Sequence, residues 1–239
     1  MNHQTRKDIL LKLIHQPKAS FNELWDKQGE SNAFAYHLNK LVDEGVVLKE
    51  DGMYSLSADG RSLVTEIEGD TGSKTRFPTP TVVIVARDKQ GRVLAQKRLK
   101  EPFFGYWGFP SGKLNFGWNP KERAVRDLNE ETGLQAGSVV LRCIEHVKTF
   151  EGEALLHHHI MYIFEAFGCE GELVTQTHKA SHEWLSVDEY LEKKRFPGNW
   201  LFNHVLGNEK FFVMECERYM KDGAFIDSKL VSLNKFKNE

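Results

Sequence analysis

The sequence predicts an α/β protein of two domains: a small one of short helices closed by a β-hairpin, then a larger one of strands around a single marked helix. Three observations carry this. Residues 69–80, Gly-Asp-Thr-Gly-Ser-Lys-Thr-Arg-Phe-Pro-Thr-Pro, lack apolar periodicity and read as a linker. Asp51-Gly52 stands between two short alternating runs, a hairpin signal because both turn positions need positive φ. Asn119-Pro120 and Gly133 punctuate the two ends of a helical stretch. Apolar residues make up 40% of the 239, with sixteen Phe and five Trp, which is enough for two cores and argues against disorder. The formal charge of −2 creates no whole-molecule field toward nucleic acid or membrane. Cys143, Cys169 and Cys216 form no CxxC pair and read as buried, reduced thiols. No apolar run reaches membrane-spanning length, and the polar opening is no signal peptide, so a cytoplasmic protein without a membrane partner is expected.

Within residues 1–70, Thr5 with Asp8 and Ser20 with Glu23 fit the start signal of a helix. Ile9, Leu10, Leu13 and Ile14 supply a buried face. Ser31 is expected to cap a third helix whose Phe34, Leu38, Leu41 and Val42 share one side, stopped at Gly45. The hairpin Val46–Ser57 follows, and a helix over about 59–68 closes the unit. This plan, with the string Phe34-Ala-Tyr-His-Leu-Asn-Lys-Leu-Val-Asp-Glu-Gly45, resembles the winged helix-turn-helix regulators of bacteria and archaea. The resemblance implies a third helix that enters the DNA major groove, with Asn32, Tyr36, His37 and Lys40 (and Asn39) exposed for contact. Charge argues the other way: residues 1–76 hold ten Lys and Arg against twelve Asp and Glu, and phosphate neutralisation supplies most DNA affinity. DNA and protein contact stay open as alternatives.

Residues 78–195 open with a buried strand, Thr81–Arg87, a turn at Gln90-Gly91, and a second strand, Val93–Arg98. The punctuated helix then places Asp127, Glu130 and Glu131 on one face at i, i+3 and i+4. Like charges so spaced repel. Either a solvated face, helped by Arg126 four residues before Glu130, or a hard divalent cation offsets them.

The span from Gly112 to Leu134 resembles the Nudix box, Gx5Ex7REUxEExGU, with Gly112, Arg126, Leu128, Glu130, Glu131, Gly133 and Leu134 in register. Trp107-Gly-Phe-Pro-Ser-Gly112 before it and Glu183-Trp184 after it match the family's flanks. Two positions depart: Trp118 stands where the box has its first glutamate, and Asp127 replaces the glutamate after the arginine. The resemblance implies an α/β/α sandwich with a mixed sheet. It also implies Mg²⁺ (or Mn²⁺) held by Glu130, Glu131, Asp127 and the Gly112 carbonyl, with Arg126 orienting the carboxylates. The general base would be Glu131 or Glu183. The implied activity is hydrolysis of a phosphoanhydride in a nucleoside diphosphate derivative. An effector-sensing transcriptional regulator is the alternative, and an inert scaffold the third reading.

Alternation puts His157 and His159 on one face of a strand, Leu155–Phe167, and His158 on the other. Strand histidines are the plainer reading, with one of them as a candidate for the pocket wall. Residues 196–239 are expected to form a helical extension, with Asn199–Lys221 an amphipathic helix used for packing or a homodimer contact.

Overall fold

The computed structural model describes residues 3–25, 27, 29–67, 76–208 and 210–236. It divides into two compact units, Met1–Phe77 and Pro78–Glu239. Most of the expected linker, residues 69–75, lies outside the described residues, as does the expected helix end at Glu68.

The first unit runs α1 (Gln4–His15), β1 (Ala19–Ser20), α2 (Phe21–Trp25), α3 (Ser31–Asp43), β2 (Val47–Glu50), β3 (Met53–Leu56) and α4 (Ala58–Val64). Its strands pair in the order β1–β3–β2. Ile9, Leu10, Leu13, Leu38 and Leu41 are buried together in its core. Asp51 and Gly52 take φ of 51° and 76°, as the hairpin requires. Ser20 and Glu23 cap α2 reciprocally, the Ser20 amide donating to Glu23 Oε2 at 2.6 Å. Two expected caps fail. Neither Thr5 nor Ser31 caps a helix: His3 and Glu30 hold those positions without side-chain cap bonds, and Thr5 and Ser31 already lie within helix.

The second unit contains β4 (Thr79–Ala86), β5 (Val93–Arg98), β6 (Trp107–Gly108), β7 (Ser111–Lys113), α5 (Pro120–Thr132), β8 (Ser138–Glu151), β9 (Ala154–Phe167), β10 (Ala180–Leu185), α6 (Val187–Leu191), β11 (Phe211–Lys221) and β12 (Ala224–Phe236). Among the described residues, a six-stranded sheet has the order β12–β11–β8–β9–β4–β7. It is mixed, since β11 runs parallel to β8 and β4 parallel to β9. A smaller sheet has the order β10–β5–β6. Alternation along β4 divides the core: Val82, Ile84 and Ala86 face Ala124 and Leu128 of α5, whereas Val83 and Val85 face Tyr190 of α6, Val205 and Leu206. No described helix is long and apolar enough to cross a membrane.

The helical extension expected over 196–239 is not what forms. Among the described residues of that span, one short π-helical turn, Leu201–Val205, precedes two long strands that complete the main sheet. Phe212, Met214, Cys216 and Met220 are buried at every second or fourth position, a period of two. Asp222-Gly223, at φ 51° and 75°, turns β11 into β12. Reading Trp200 through Met220 as one helix merged residues on both sides of the break at Gly207. The second helical layer of the expected sandwich is therefore thin, consisting of the five-residue α6 and this turn.

Candidate active site

Helix α5 is fixed at both ends. The Asn119 side chain accepts from the Lys121 amide at 2.9 Å, Pro120 occupies the first turn, and Gly133 closes the helix at φ 75°. With Ala124 and Leu128 buried against the sheet, two arginines and three carboxylates fall on the flanks. Arg123 grips Asp127 with two bonds, Nη2 to Oδ1 at 2.9 Å and Nε to Oδ2 at 3.0 Å. Arg126 Nε donates to Glu130 Oε1 at 2.6 Å. The Arg126 guanidinium also lies 4.7 Å from the Trp118 ring centre. Trp118 thus supplies a cation–π partner where the box has a carboxylate.

Asp127 is 3% exposed. Its burial raises the carboxyl's pKa, and the Arg123 charge opposes that rise. Glu131 shifts upward for the same first reason, burial, followed by the Asp127 charge; Lys100, Lys179 and Arg123 pull it back. Glu131 Oε2 is buried with no hydrogen-bond partner. A buried carboxylate oxygen without a donor is a costly group unless something else meets it.

Gly112 joins this acidic helix to a cavity of about 570 Å³. A Cβ there would run into the Asp127 carboxylate and stand 3.0 Å from Arg123 Nη2, so only glycine lets β7 approach α5 this closely. Gly112, Lys113, Arg98 and Lys100 also line the cavity. Its floor is one face of the main sheet, where Arg218, Thr149 and His157 lie side by side on β11, β8 and β9. Phe103, Phe196 and Phe225 cluster over it at 5.2–5.7 Å between ring centres.

Of the residues singled out in the sequence, Gly112, Asp127, Arg126, Glu130 and Glu131 come together on β7 and α5. Their arrangement differs from a ready metal cage: among the described residues no three His, Cys, Asp or Glu side chains converge to hold an ion. Asp127 is taken by Arg123, and Glu130 is turned to Arg126. Glu183 is exposed on β10 opposite Ala95, its side chain makes no polar contact among the described residues, and it does not line the cavity. His157 and His159 stack with ring centres 6.1 Å apart and both line the cavity, while His158 faces the other way. Burial lowers the pKa of His159 to about 4. In the first unit, Asn32 and Tyr36 are exposed, but Lys40 is half-buried. His37 is not the exposed contact expected: its ring stacks on His3 at 3.7 Å between centres, and Nδ1 is buried without a partner.

Sequence reasoning missed Arg123, although the i, i+4 rule links it to Asp127. It also missed Arg218 and Phe225, which follow from the Asp222-Gly223 hairpin signal, and Glu145, which no motif marks.

A family model described as the NUDIX domain matches residues 77–204, more than half the chain. The chain belongs to the Nudix family. Residues 1–67 match a domain of unknown function, DUF7347. The mutator MutT protein from Bacillus halodurans is 26% identical, with a TM-score of 0.54 over 64% of this chain and 97% of that one. An uncharacterized Nudix hydrolase, YvcI, from Bacillus subtilis is 24% identical over 108 residues, 45% of this chain. An RNA pyrophosphohydrolase from Pseudomonas aeruginosa is 40% identical over 65 residues, 27% of this chain. The chain spans 66% of the first of these two curated relatives and 39% of the second. Nudix hydrolases use divalent metals, and the oxygen donors gathered here suit a hard cation.

Proposed function

We propose that the second unit is a pyrophosphohydrolase that cleaves a phosphoanhydride bond in a nucleoside diphosphate derivative, with Mg²⁺, or Mn²⁺ in its place, as its metal. The convergence at Gly112 carries this reading, because that residue is both cavity wall and neighbour of the acidic helix. The likeness to RNA pyrophosphohydrolases over 65 residues supports the bond type.

The residues present fit a divalent cation by donor chemistry. Glu131 holds the orphaned oxygen, Glu130 and Asp127 are within the same helical turn, and Gly112 adds a carbonyl. Bound there, the metal would neutralise charge on the phosphate oxygens and lower the pKa of an attacking water. Arg123 fixes Asp127, and Arg126 with Trp118 fixes Glu130. Arg98, Lys100 and Lys113 offer positive charge to the diphosphate. Glu131, whose Oε2 is buried without a hydrogen-bond partner, is the better-placed proton acceptor. Glu183 is the weaker candidate because it stands exposed.

Turnover of a panel of dinucleotide and nucleoside-diphosphate-sugar substrates with Mg²⁺ tests the proposal. Wild type should release product, and Glu131→Gln should lose about 10²–10⁴-fold in kcat. Equal rates in the two proteins would overturn it.

A second reading concerns the first unit, whose helices α1–α3 and β2–β3 hairpin we propose to be a winged helix that binds DNA through α3. Exposed Asn32 and Tyr36 favour this; His37, packed on His3, is withdrawn from it. Salt-sensitive binding to upstream DNA that weakens in Lys40→Ala is the expected result. Absence of binding at low salt would leave protein contact as its role.

A further inference from the structure

The cavity holds a second carboxylate, remote from the acidic helix, that the hydrolytic chemistry does not use. Glu145 on β8 is 1% exposed and lines the cavity. The Trp200 indole N–H donates to its Oε1 at 3.2 Å, and the Cys216 thiol also donates to it. Among the described residues no Lys, Arg or His forms an ion pair with it. A carboxylate accepts about four hydrogen bonds, so about two of these sites remain open toward the cavity. Buried polar groups are met by partners, and here the missing donors belong to whatever fills the cavity.

The position of Glu145 says which part of a ligand would supply them. Across the sheet Glu145 pairs with Met161, Met161 with Thr81, and Thr81 with Lys113. All four line the cavity. At a strand spacing of ~4.8 Å, three steps put the ends of this row about 14 Å apart. Lys113 follows Gly112, behind which the acidic helix stands. A ligand whose phosphates lie at Lys113 and Gly112 would therefore bring its far end to Glu145. Trp200, Phe202 and Tyr190 line the same cavity and offer flat apolar surface to a ring.

We propose that Glu145 is a specificity-determining residue that selects guanine as the base of the nucleotide. This rests on the reading of the cavity as a nucleoside-diphosphate site. Guanine presents two adjacent donors, N1–H and the N2 amine, in one plane, and these match the two oxygens of a carboxylate. Adenine offers one donor beside a ring-nitrogen acceptor, which would face the carboxylate lone pairs. Uracil offers a single N–H between two carbonyls. The acceptor-only chemistry of the Glu145 carboxylate thus favours guanine and penalises the others by an unpaired acceptor.

The test is equilibrium binding of GDP, inosine diphosphate, ADP and UDP to the full chain in EDTA, followed by calorimetry, so that no turnover intrudes. GDP should bind about 10–100-fold more tightly than ADP. Inosine diphosphate, which lacks the N2 amine, should fall about 10-fold below GDP. Glu145→Gln, isosteric but carrying one donor and one acceptor, should lower the GDP-to-ADP ratio by at least about 10-fold. The inosine comparison needs no variant and decides the matter even if Glu145→Gln does not fold. Binding without base preference, or a ratio unchanged in Glu145→Gln, would overturn this inference alone and leave the hydrolase reading standing. No binding by any of the four nucleotides would overturn this inference, while the turnover panel with Mg²⁺ would still decide the hydrolase reading.

Discussion

Two arginine–carboxylate pairs stand less than one turn apart on α5 with the same i, i+4 spacing, yet they occupy opposite environments. In Arg123–Asp127 the side chains are 20% and 4% exposed, and in Arg126–Glu130 they are 51% and 53% exposed. The first pair is bidentate and seated against Gly112; the second is single-bonded and open to solvent. In water a pair of this kind contributes a few tenths of a kcal/mol, because screening and side-chain entropy offset most of the attraction. Out of water the cost of losing one partner is large, because the other charge stays buried. Spacing makes the two pairs look alike in sequence, and burial makes them unlike in consequence.

Breaking the buried pair gives the largest expected effect. Arg123→Met should destabilise the second unit by about 3–5 kcal/mol in urea unfolding. A change under about 1 kcal/mol would mean that Asp127 finds water or a proton instead. Next comes Gly112→Ala, whose methyl would displace the Asp127 carboxylate; a shift of that size should cut turnover about 10²-fold. Wild-type rates from this variant would detach the cavity from α5.

Burial acts on a cation as it does on a carboxylate. The pKa of His159 is lowered by burial to about 4, so its neutral form is the one the fold prefers. The unfolded chain binds that proton near pH ~6.5. Stability should therefore be lost as pH falls from about 6.5 toward 4, with a slope of at most ~1.4 kcal/mol per pH unit from this residue. His159→Gln should flatten that slope when unfolding near neutral pH and near pH ~5 is compared, and identical slopes would count against a neutral imidazole in the folded chain.

The smallest effect belongs to the exposed pair. Arg126→Met should change stability by no more than about 0.5 kcal/mol. Trp118→Ala, which removes the ring beneath the same guanidinium, should cost about 0.5–1 kcal/mol. Should Arg126→Met prove as damaging as Arg123→Met, the contrast between the pairs would disappear.

Much of the acidic helix was legible because its signals are local. Asn119, Pro120 and Gly133 act on backbone groups within a few residues, and the carboxylates follow from helical periodicity. The same was true of Asp51-Gly52. Asp222-Gly223 carries the same turn chemistry but went unread, because large apolar residues from Trp200 to Met220 suggested a helix across Gly207. With the turn unread, β11 and β12 were lost, and with them Arg218 and Phe225 in the cavity. His37 was misplaced for another reason: helical periodicity puts it near the exposed side, but His3 at the start of α1 covers it.

What the sequence by itself determined is the set of short-range structures and the donor chemistry they carry: the caps of α5, the order of Asp127, Glu130 and Glu131, and glycine at position 112. Each depends on atoms within about one turn of helix or one strand pairing. Tertiary structure alone decided which carboxylate is buried with its arginine and which stays in solvent, because that burial is supplied by the sheet. It also decided that Glu145, which belongs to no local motif, faces the same cavity as Gly112. Cross-strand registry between β8, β9, β4 and β7 brings the two together, and registry is set by pairings between segments far apart in the chain.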